Sequence, residues 1–190
     1  DPVRSRLDAL SSPDAAARVA LLVSEAPSGL SAAELVARTG LLEAEVEHAA
    51  ALAPLLRLEQ PAPWFVDGAW FEHARERLTA AVSEYHREHP LQPGISKQDL
   101  RSRVLPDAPS FLLDALLTSA KALAVEADTV RLRAHKVVLR EDEEQARTAI
   151  ERAFEQAGLA TPSVPQVLTQ SGVEAARARS LLQILLREKR

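Results

Sequence analysis

The sequence predicts a mainly α (α+β) fold, in which a unit of three helices followed by a two-stranded hairpin is repeated in tandem. A helix-starting box recurs at Ser31–Glu34, Ser96–Asp99 and Ser163–Gln166. In such a box the serine oxygen accepts a hydrogen bond from the backbone three residues on, and the acid or amide reaches back to the cap. The serines are 65 and 67 residues apart, and a period of this length indicates repeated structural units.

Helical patterns surround each box. A longer helix with an apolar stripe precedes the box, and these helices are predicted at about Ser12–Ala26, Trp70–His89 and Glu141–Phe154. A short helix begins at the box itself. Another follows it, and this second short helix is predicted at about Glu43–Leu52, Ser110–Lys121 and Glu174–Arg187.

Glycine marks the turn between the two short helices in copies one and three. Gly40 and Gly172 lie 132 residues apart, as do the serines of the same two boxes. Glycine at this place favours a left-handed helix end. The middle copy has Leu105-Pro106-Asp107 there, so we expect its turn to be built differently.

Copies one and two end in pairs of strand-like segments. The pairs are Leu55–Glu59 with Trp64–Val66, and Ala124–Ala127 with Val130–Arg133. Three helices and a two-stranded hairpin are the elements of a winged-helix module. The predicted modules are residues 1–68, 69–140 and 141–190, the last incomplete because its wing is missing. The sequence also has no Met, and we expect an internal or processed piece of a longer protein.

Composition narrows the class of protein. The chain has 190 residues, 46% of them hydrophobic and 26% charged, which is the range of ordinary globular proteins. The absence of Cys excludes disulfides and thiolate metal sites and favours a cytoplasmic setting. No apolar run approaches the roughly 20 residues needed to cross a bilayer. The net charge of −4 argues against non-specific coating of nucleic acid.

Motifs for catalysis and cofactor binding are not found in the sequence. It has no Gly-x-x-x-x-Gly-Lys loop, so the chain itself should bind neither GTP nor another cofactor. His73, His86 and His89 fall on one predicted helix, and we interpret them as solvated histidines rather than metal ligands. No Ser or Thr lies in a nucleophile-elbow context. We therefore expect no catalytic site in this chain.

Charge on the second short helix distinguishes the copies. In helix-turn-helix proteins this helix reads nucleic acid. Copy one has Glu43, Glu45 and Glu47 there, which would repel phosphate, whereas copy three has Arg177 and Arg179. Only the third copy therefore has a clearly basic reader helix, and its alternative interpretation is an ordinary solvated, ion-paired surface.

A second candidate surface lies in copy two. Basic residues occur on its first short helix and near its wing, at Lys97, Arg101, Arg103, Arg131, Arg133, Lys136 and Arg140. Together they would form a phosphate-facing patch. The alternative interpretation is again a solvated surface of ion pairs.

Aromatic residues gather where the first wing meets the following helix. Trp64, Phe65, Trp70 and Phe71 lie within eight residues of sequence. Such side chains could stack on bases. Their position between copies one and two favours a contact between the two modules instead.

One segment carries a family resemblance. Residues 89–103 read HPLQPGISKQDLRSR and resemble the HPL-x-PG-x-x-K-x-x-LR segment of bacterial selenocysteine-specific translation elongation factors. The stretches Phe111–Leu113, Val130–His135 and Phe154–Pro162 also resemble that family. The likeness covers nearly the whole chain, and the 89–103 segment is its most specific part.

The resemblance implies a function. Family members have a GTPase part, which delivers selenocysteinyl-tRNA to the ribosome, and four C-terminal winged-helix modules, which reach an mRNA hairpin that recodes UGA. The implied partners are the mRNA hairpin, the ribosome and selenocysteinyl-tRNA, with GTP and Mg²⁺ bound elsewhere in the full-length protein. The last module of the family, which makes the main hairpin contacts, lies outside this sequence, so no family RNA-binding residue is transferred to it.

Two other classes stay open at this point. A tandem winged-helix scaffold for protein interactions is compatible with the acidic first copy. A DNA-binding regulator is the third hypothesis, although such proteins usually dimerise to match palindromic half-sites. We expect a monomer that has no membrane segment.

Overall fold

The computed structural model of the chain describes residues 2–59, 61–135, 139, 141–157 and 162–188. It divides into two compact units. One comprises Asp1–Ala81 and Ser96–Val130, and the other comprises Val82–Ile95 and Arg131–Arg190. These units cross the boundaries of the predicted modules, and the boundaries at 68/69 and 140/141 stay predictions.

The elements follow the predicted order, except that the N-terminal helix Pro2–Ser11 was not predicted. Up to residue 88 they are α1 (Pro2–Ser11), α2 (Ala15–Ser24), β1 (Leu30–Ser31), α3 (Ala32–Thr39), α4 (Glu43–Ala51), β2 (Leu55–Leu58), β3 (Trp64–Asp67) and α5 (Gly68–Glu88). The later ones are β4 (Ile95–Ser96), α6 (Lys97–Val104), α7 (Ser110–Ser119), β5 (Leu123–Glu126), β6 (Thr129–Leu132), α8 (Glu141–Ala157), α9 (Val164–Gln170) and α10 (Ala175–Arg187). Helices with small antiparallel sheets confirm the mainly α, winged-helix fold class.

Each wing is part of a three-stranded sheet. The strand orders are β1-β3-β2 and β4-β6-β5. In the first sheet Leu30 lies opposite Phe65. The two-residue strands β1 and β4 were not predicted, because two residues are too short to show the alternation that identifies a strand.

The two wings repeat one backbone hydrogen bond. The amide of Ala32 donates to the carbonyl of Pro63 at 2.9 Å, and the amide of Lys97 donates to the carbonyl of Asp128 at 2.8 Å. Both donors are the residue directly after a box serine. The bond therefore ties the start of the first short helix to the wing in both copies.

Two of the three boxes form the predicted cap. Ser31 and Glu34 make a complete capping box, and the backbone and hydroxyl donors of Ser31 lower the pKa of Glu34. The Ser96 oxygen accepts from the amide of Asp99 at 3.0 Å. The prediction is wrong for Ser163, whose side chain makes no cap hydrogen bond. Pro165, at the second position of that helix, removes the alternative donor for the cap because it has no N–H.

Helix ends match the predicted turn chemistry. Gly40 and Gly172 have φ of +70° and +81°, which confirms the left-handed turns. In the middle copy Leu105 has φ −136°, a different turn, as expected. The second helix begins at Ala15 with Asp14 as its cap, because the Asp14 carboxylate accepts from Ala16 and Ala17. The predicted start at Ser12 was therefore slightly early.

An apolar core holds the helices of the first copy to its wing. The fully buried side chains include Val19, Val23, Leu35, Val46 and Phe65. They come from the inward faces of α2, α3, α4 and β3. Burial of such side chains contributes roughly 1.5–3 kcal/mol each.

The third copy has a core of its own. Ala146 and Ile150 of α8 pack with Leu168 of α9 and with Ala178 and Leu181 of α10. In residues 141–157 and 162–188 the structure shows helices only. Within the described part of the chain, every helix is too short or too polar to cross a membrane.

Candidate nucleic-acid interface

Lys97 begins α6 and is half-buried. Its Nζ lies 2.9 Å from Oδ1 of Asp114 on α7. The ion pair holds the first and second short helices of copy two together and neutralises the lysine. A phosphate would have to compete with Asp114 for this ammonium.

Arg101 lies one turn further along α6. Its guanidinium donates to the carbonyl of Ala108 at 2.9 Å, and its Nε is buried without a hydrogen-bond partner among the described residues. The side chain therefore supports the turn after α6, which lacks the glycine found in copies one and three. This is a structural role that competes with phosphate binding.

The remaining basic residues of copy two divide between the two units. Arg103 belongs to the first unit and is exposed. Arg131 and Arg133 belong to the second, where Arg131 donates to the carbonyl of Leu132 at 3.4 Å. All three interact with neighbouring groups of the fold. Lys136 and Arg140 lie outside the described residues.

Arg177 and Arg179 differ from these side chains. Both are exposed on α10, and within the described ranges neither makes an ion pair or hydrogen bond. Ala178 between them is fully buried in the core with α8 and α9, so the two arginines project from opposite sides of the buried stripe of α10. They line a cavity of about 480 Å³.

The surroundings of that cavity are mixed in charge. Its acidic lining residues are Glu88, Glu143 and Glu174. Gln92 and Ser180 also line it, and their side chains are 3.4 Å apart. A uniform anion site is therefore not formed, because the lining contains three carboxylates and two arginines.

The acidic helix of copy one uses its carboxylates within the module. Glu45 accepts from the amide of Leu42 at 2.7 Å, and Glu47 pairs with Arg57 of β2 at 2.9 Å. The helix α4 occupies the reader position without a single Lys or Arg in its sequence. Phosphate is repelled there.

The aromatic residues lie largely inside the fold. Trp64 meets the ring of Phe111 edge-on, with centroids 5.3 Å apart, and its indole N–H donates to the carbonyl of Ser28 at 2.9 Å. Trp64 and Phe111 come from the first and second predicted modules, so for Trp64 the expected inter-module contact is confirmed. Phe65 instead belongs to the core of the first copy, and Phe71 is buried.

The histidine interpretation needs one correction. His73 and His89 are exposed, as predicted, but His86 is buried. Its Nε2 accepts from the backbone amide of Leu132 at 3.2 Å, a partner 46 residues away that periodicity within α5 does not reveal. Among the described residues no group of three or more His, Cys, Asp or Glu is placed to hold a metal ion.

Comparison with known proteins identifies the middle of the chain. The sequence model of the family described as "Elongation factor SelB, winged helix" matches residues 79–132. These residues run from the middle of α5 to the end of β6 and contain both short helices and the wing of copy two. Residues 79–132 match the SelB winged-helix family.

A relative is similar to a longer part of the chain than this family match. The chain is similar to the selenocysteine-specific elongation factor of Desulfomicrobium baculatum, with 33% identity over 111 residues. The similarity covers 56% of this chain and 17% of that protein. Together the two matches confirm the resemblance drawn from residues 89–103 and support a SelB C-terminal winged-helix region.

Proposed function

We propose that the chain is part of the C-terminal arm of a selenocysteine-specific elongation factor. In that role it links the GTPase and tRNA-delivery part to the mRNA recoding hairpin during UGA decoding. The observation that carries the proposal is the SelB winged-helix match over residues 79–132. The GTPase, with GTP and Mg²⁺, belongs to the rest of the protein. The arm contributes binding and length but no catalysis. It acts in the cytoplasm.

Within this arm, we assign the RNA-facing role to α10. Arg177 and Arg179 are exposed, lie on the second short helix of their copy, and have no partner in the described part of the chain. The major groove of A-form RNA is too deep and narrow for a helix to read. The arginines are therefore expected to contact backbone phosphates and splayed bases beside the cavity.

The first two copies are proposed to act chiefly as a spacer. Copy one presents carboxylates at the reader position. In copy two Lys97 and Arg101 make contacts inside the module. Both features disfavour phosphate binding, whereas the Trp64–Phe111 contact favours a firm junction between these copies.

The test is selective binding of the recoding hairpin. Labelled hairpin and a scrambled hairpin of the same length would be titrated with the full-length protein and with this 190-residue chain, at several salt concentrations. We expect the full-length protein to prefer the native hairpin, and this chain to bind both RNAs weakly with a salt-dependent affinity. A full-length protein that does not distinguish the two hairpins would overturn the proposal.

A further inference from the structure

A groove lies on the first copy between the start of α2 and the outer face of α4. It has a volume of about 580 Å³. Its walls share an apolar character and are formed by Pro13, Ala15, Ala16, Leu41, Ala44, Ala49 and Leu52, with Asp14, Glu45 and His48 among them. The volume is within the range of clefts that hold a ligand or a side-chain anchor.

Large aliphatic side chains stand exposed at both ends of α4. Leu42 at the N-terminal cap is 71% exposed, and Leu52 at the C-terminal cap is 69% exposed. Leu52 also lines the groove. Leu52 therefore adds an exposed apolar wall to the groove, whereas Leu42 lies outside it.

The charge of the groove selects the kind of molecule. The groove wall contains two carboxylates and, among the described residues, no Lys or Arg. Hydrogen bonds to backbone amides hold both carboxylates in place: Asp14 accepts from Ala16 at 2.9 Å, and Glu45 accepts from Leu42 at 2.7 Å. RNA and anionic membranes are disfavoured, and a cationic partner is favoured.

We propose that this groove docks a basic segment of a partner protein. An aliphatic or aromatic anchor of that segment enters the groove against Leu41 and Leu52. Lys or Arg residues beside the anchor face Asp14 and Glu45, the two carboxylates of the groove wall. An apolar anchor in a cleft with complementary charge around it is a common mode of peptide recognition. The assignment is independent of RNA binding, since it uses α4 and not α10.

A synthetic peptide series can test the groove directly. The probe is a 12-residue peptide of Leu and Lys, compared with one in which Glu replaces every Lys and one in which Ser replaces every Leu. Each is titrated into the ¹⁵N-labelled chain while amide shifts are followed. We expect saturable shifts confined to residues 13–16 and 41–52 with the Leu/Lys peptide only. Equal binding of the Leu/Glu peptide, or shifts centred elsewhere, would overturn the proposal.

Two variants test the groove, one in its apolar wall and one at a matched control position. Leu52→Ser is expected to lower the affinity for the Leu/Lys peptide roughly tenfold, because it removes an apolar wall of the groove. Leu186→Ser is the matched control, since Leu186 is 67% exposed but lies on α10. Equal affinity for wild type and Leu52→Ser would contradict the docking site. If the amide shifts of residues 41–52 change with protein concentration in the absence of peptide, the groove binds a second copy of the chain and the proposal is overturned. If they change on adding the RNA hairpin, the groove binds nucleic acid and the proposal is likewise overturned.

Discussion

The imidazole rings of His86 and His135 are stacked, with centroids 3.5 Å apart and planes inclined by 14°. The backbone amide of Leu132 donates to Nε2 of His86, so the neutral ring carries its proton on Nδ1. Nε2 of His135 lies 3.3 Å from the carbonyl oxygen of Gln92. The pair thus joins the end of α5 to the segment that follows β6. The hydrogen bond from Leu132 requires an unprotonated Nε2, so this arrangement forms only when His86 is neutral.

This pair predicts a loss of stability in acid. Burial, His135 and Arg131 lower the pKa of His86 to about 4. The unfolded chain, with an ordinary pKa near 6.5, binds the proton first as the pH falls. The contribution of neutral His86 to the free energy of unfolding is therefore fully present above about pH 6.5 and is lost between about pH 6.5 and 4. The loss amounts to roughly 3 kcal/mol.

Histidine-selective NMR titration and urea unfolding at pH 7.5 and 4.5 would measure the effect. His86→Gln should reduce the pH-dependent loss, whereas His73→Gln, at an exposed position of the same helix, should leave it unchanged. A His86 ring that titrates near pH 6.5 in the folded protein would show that the stacked pair does not keep it neutral.

Gly29 is expected to be irreplaceable in the first copy. Its φ is +84°, and a Cβ there would lie 2.7 Å from Val66 Cγ1 and 2.8 Å from Trp64 Nε1, as well as against the Phe65 carbonyl. Gly29→Ala should lower the free energy of unfolding by about 3 kcal/mol, because strain and overlap combine. Urea unfolding followed by tryptophan fluorescence measures it.

Gly40 supplies the matched control for that substitution. Its φ is +70°, but a Cβ would meet nothing within 4 Å. Gly40→Ala should therefore cost only the left-handed strain of about 1 kcal/mol. Similar losses for the two variants would mean that close packing against β3 is not what requires Gly29.

Ala127 offers a stabilising change. It has φ +53° in the turn between β5 and β6, a conformation that costs an L-residue about 1–2 kcal/mol. Ala127→Gly should raise the free energy of unfolding by about 0.5–1 kcal/mol. Ala124→Gly, inside β5, should instead lower it by a similar amount. Thermal unfolding of both variants checks the sign, and a destabilised Ala127→Gly would refute the turn geometry.

Trp64 and Phe111 should be energetically coupled. Edge-to-face ring pairs contribute about 0.5–1.5 kcal/mol beyond burial. A double-mutant cycle with Trp64→Leu and Phe111→Leu, read from urea unfolding, isolates this value, because the Trp64–Ser28 hydrogen bond cancels in the cycle. Additive single effects, within about 0.3 kcal/mol, would mean that the contact does not join the two copies.

Local patterns in the sequence predicted most of the helical framework. The box at Ser31 and the glycines at 40 and 172 act within four residues, so their signals are complete in the sequence. The binding patch does not follow from local pattern, because Lys97 and Arg101 look like available cations in the sequence although their partners, Asp114 and Ala108, lie elsewhere in the chain. The burial of His86 likewise depends on Leu132, a contact that only the tertiary fold brings about.

The most direct measurement of the RNA-facing role is the salt dependence of hairpin binding by an α10 variant. Arg177→Gln/Arg179→Gln should weaken binding of the recoding hairpin and lower the slope of log K against log salt by roughly one per arginine. The control Arg38→Gln/Arg152→Gln removes two exposed arginines from α3 and α8 and should leave the slope unchanged. An unchanged slope for the α10 variant, or an equal loss in the control, would contradict the proposed RNA contact.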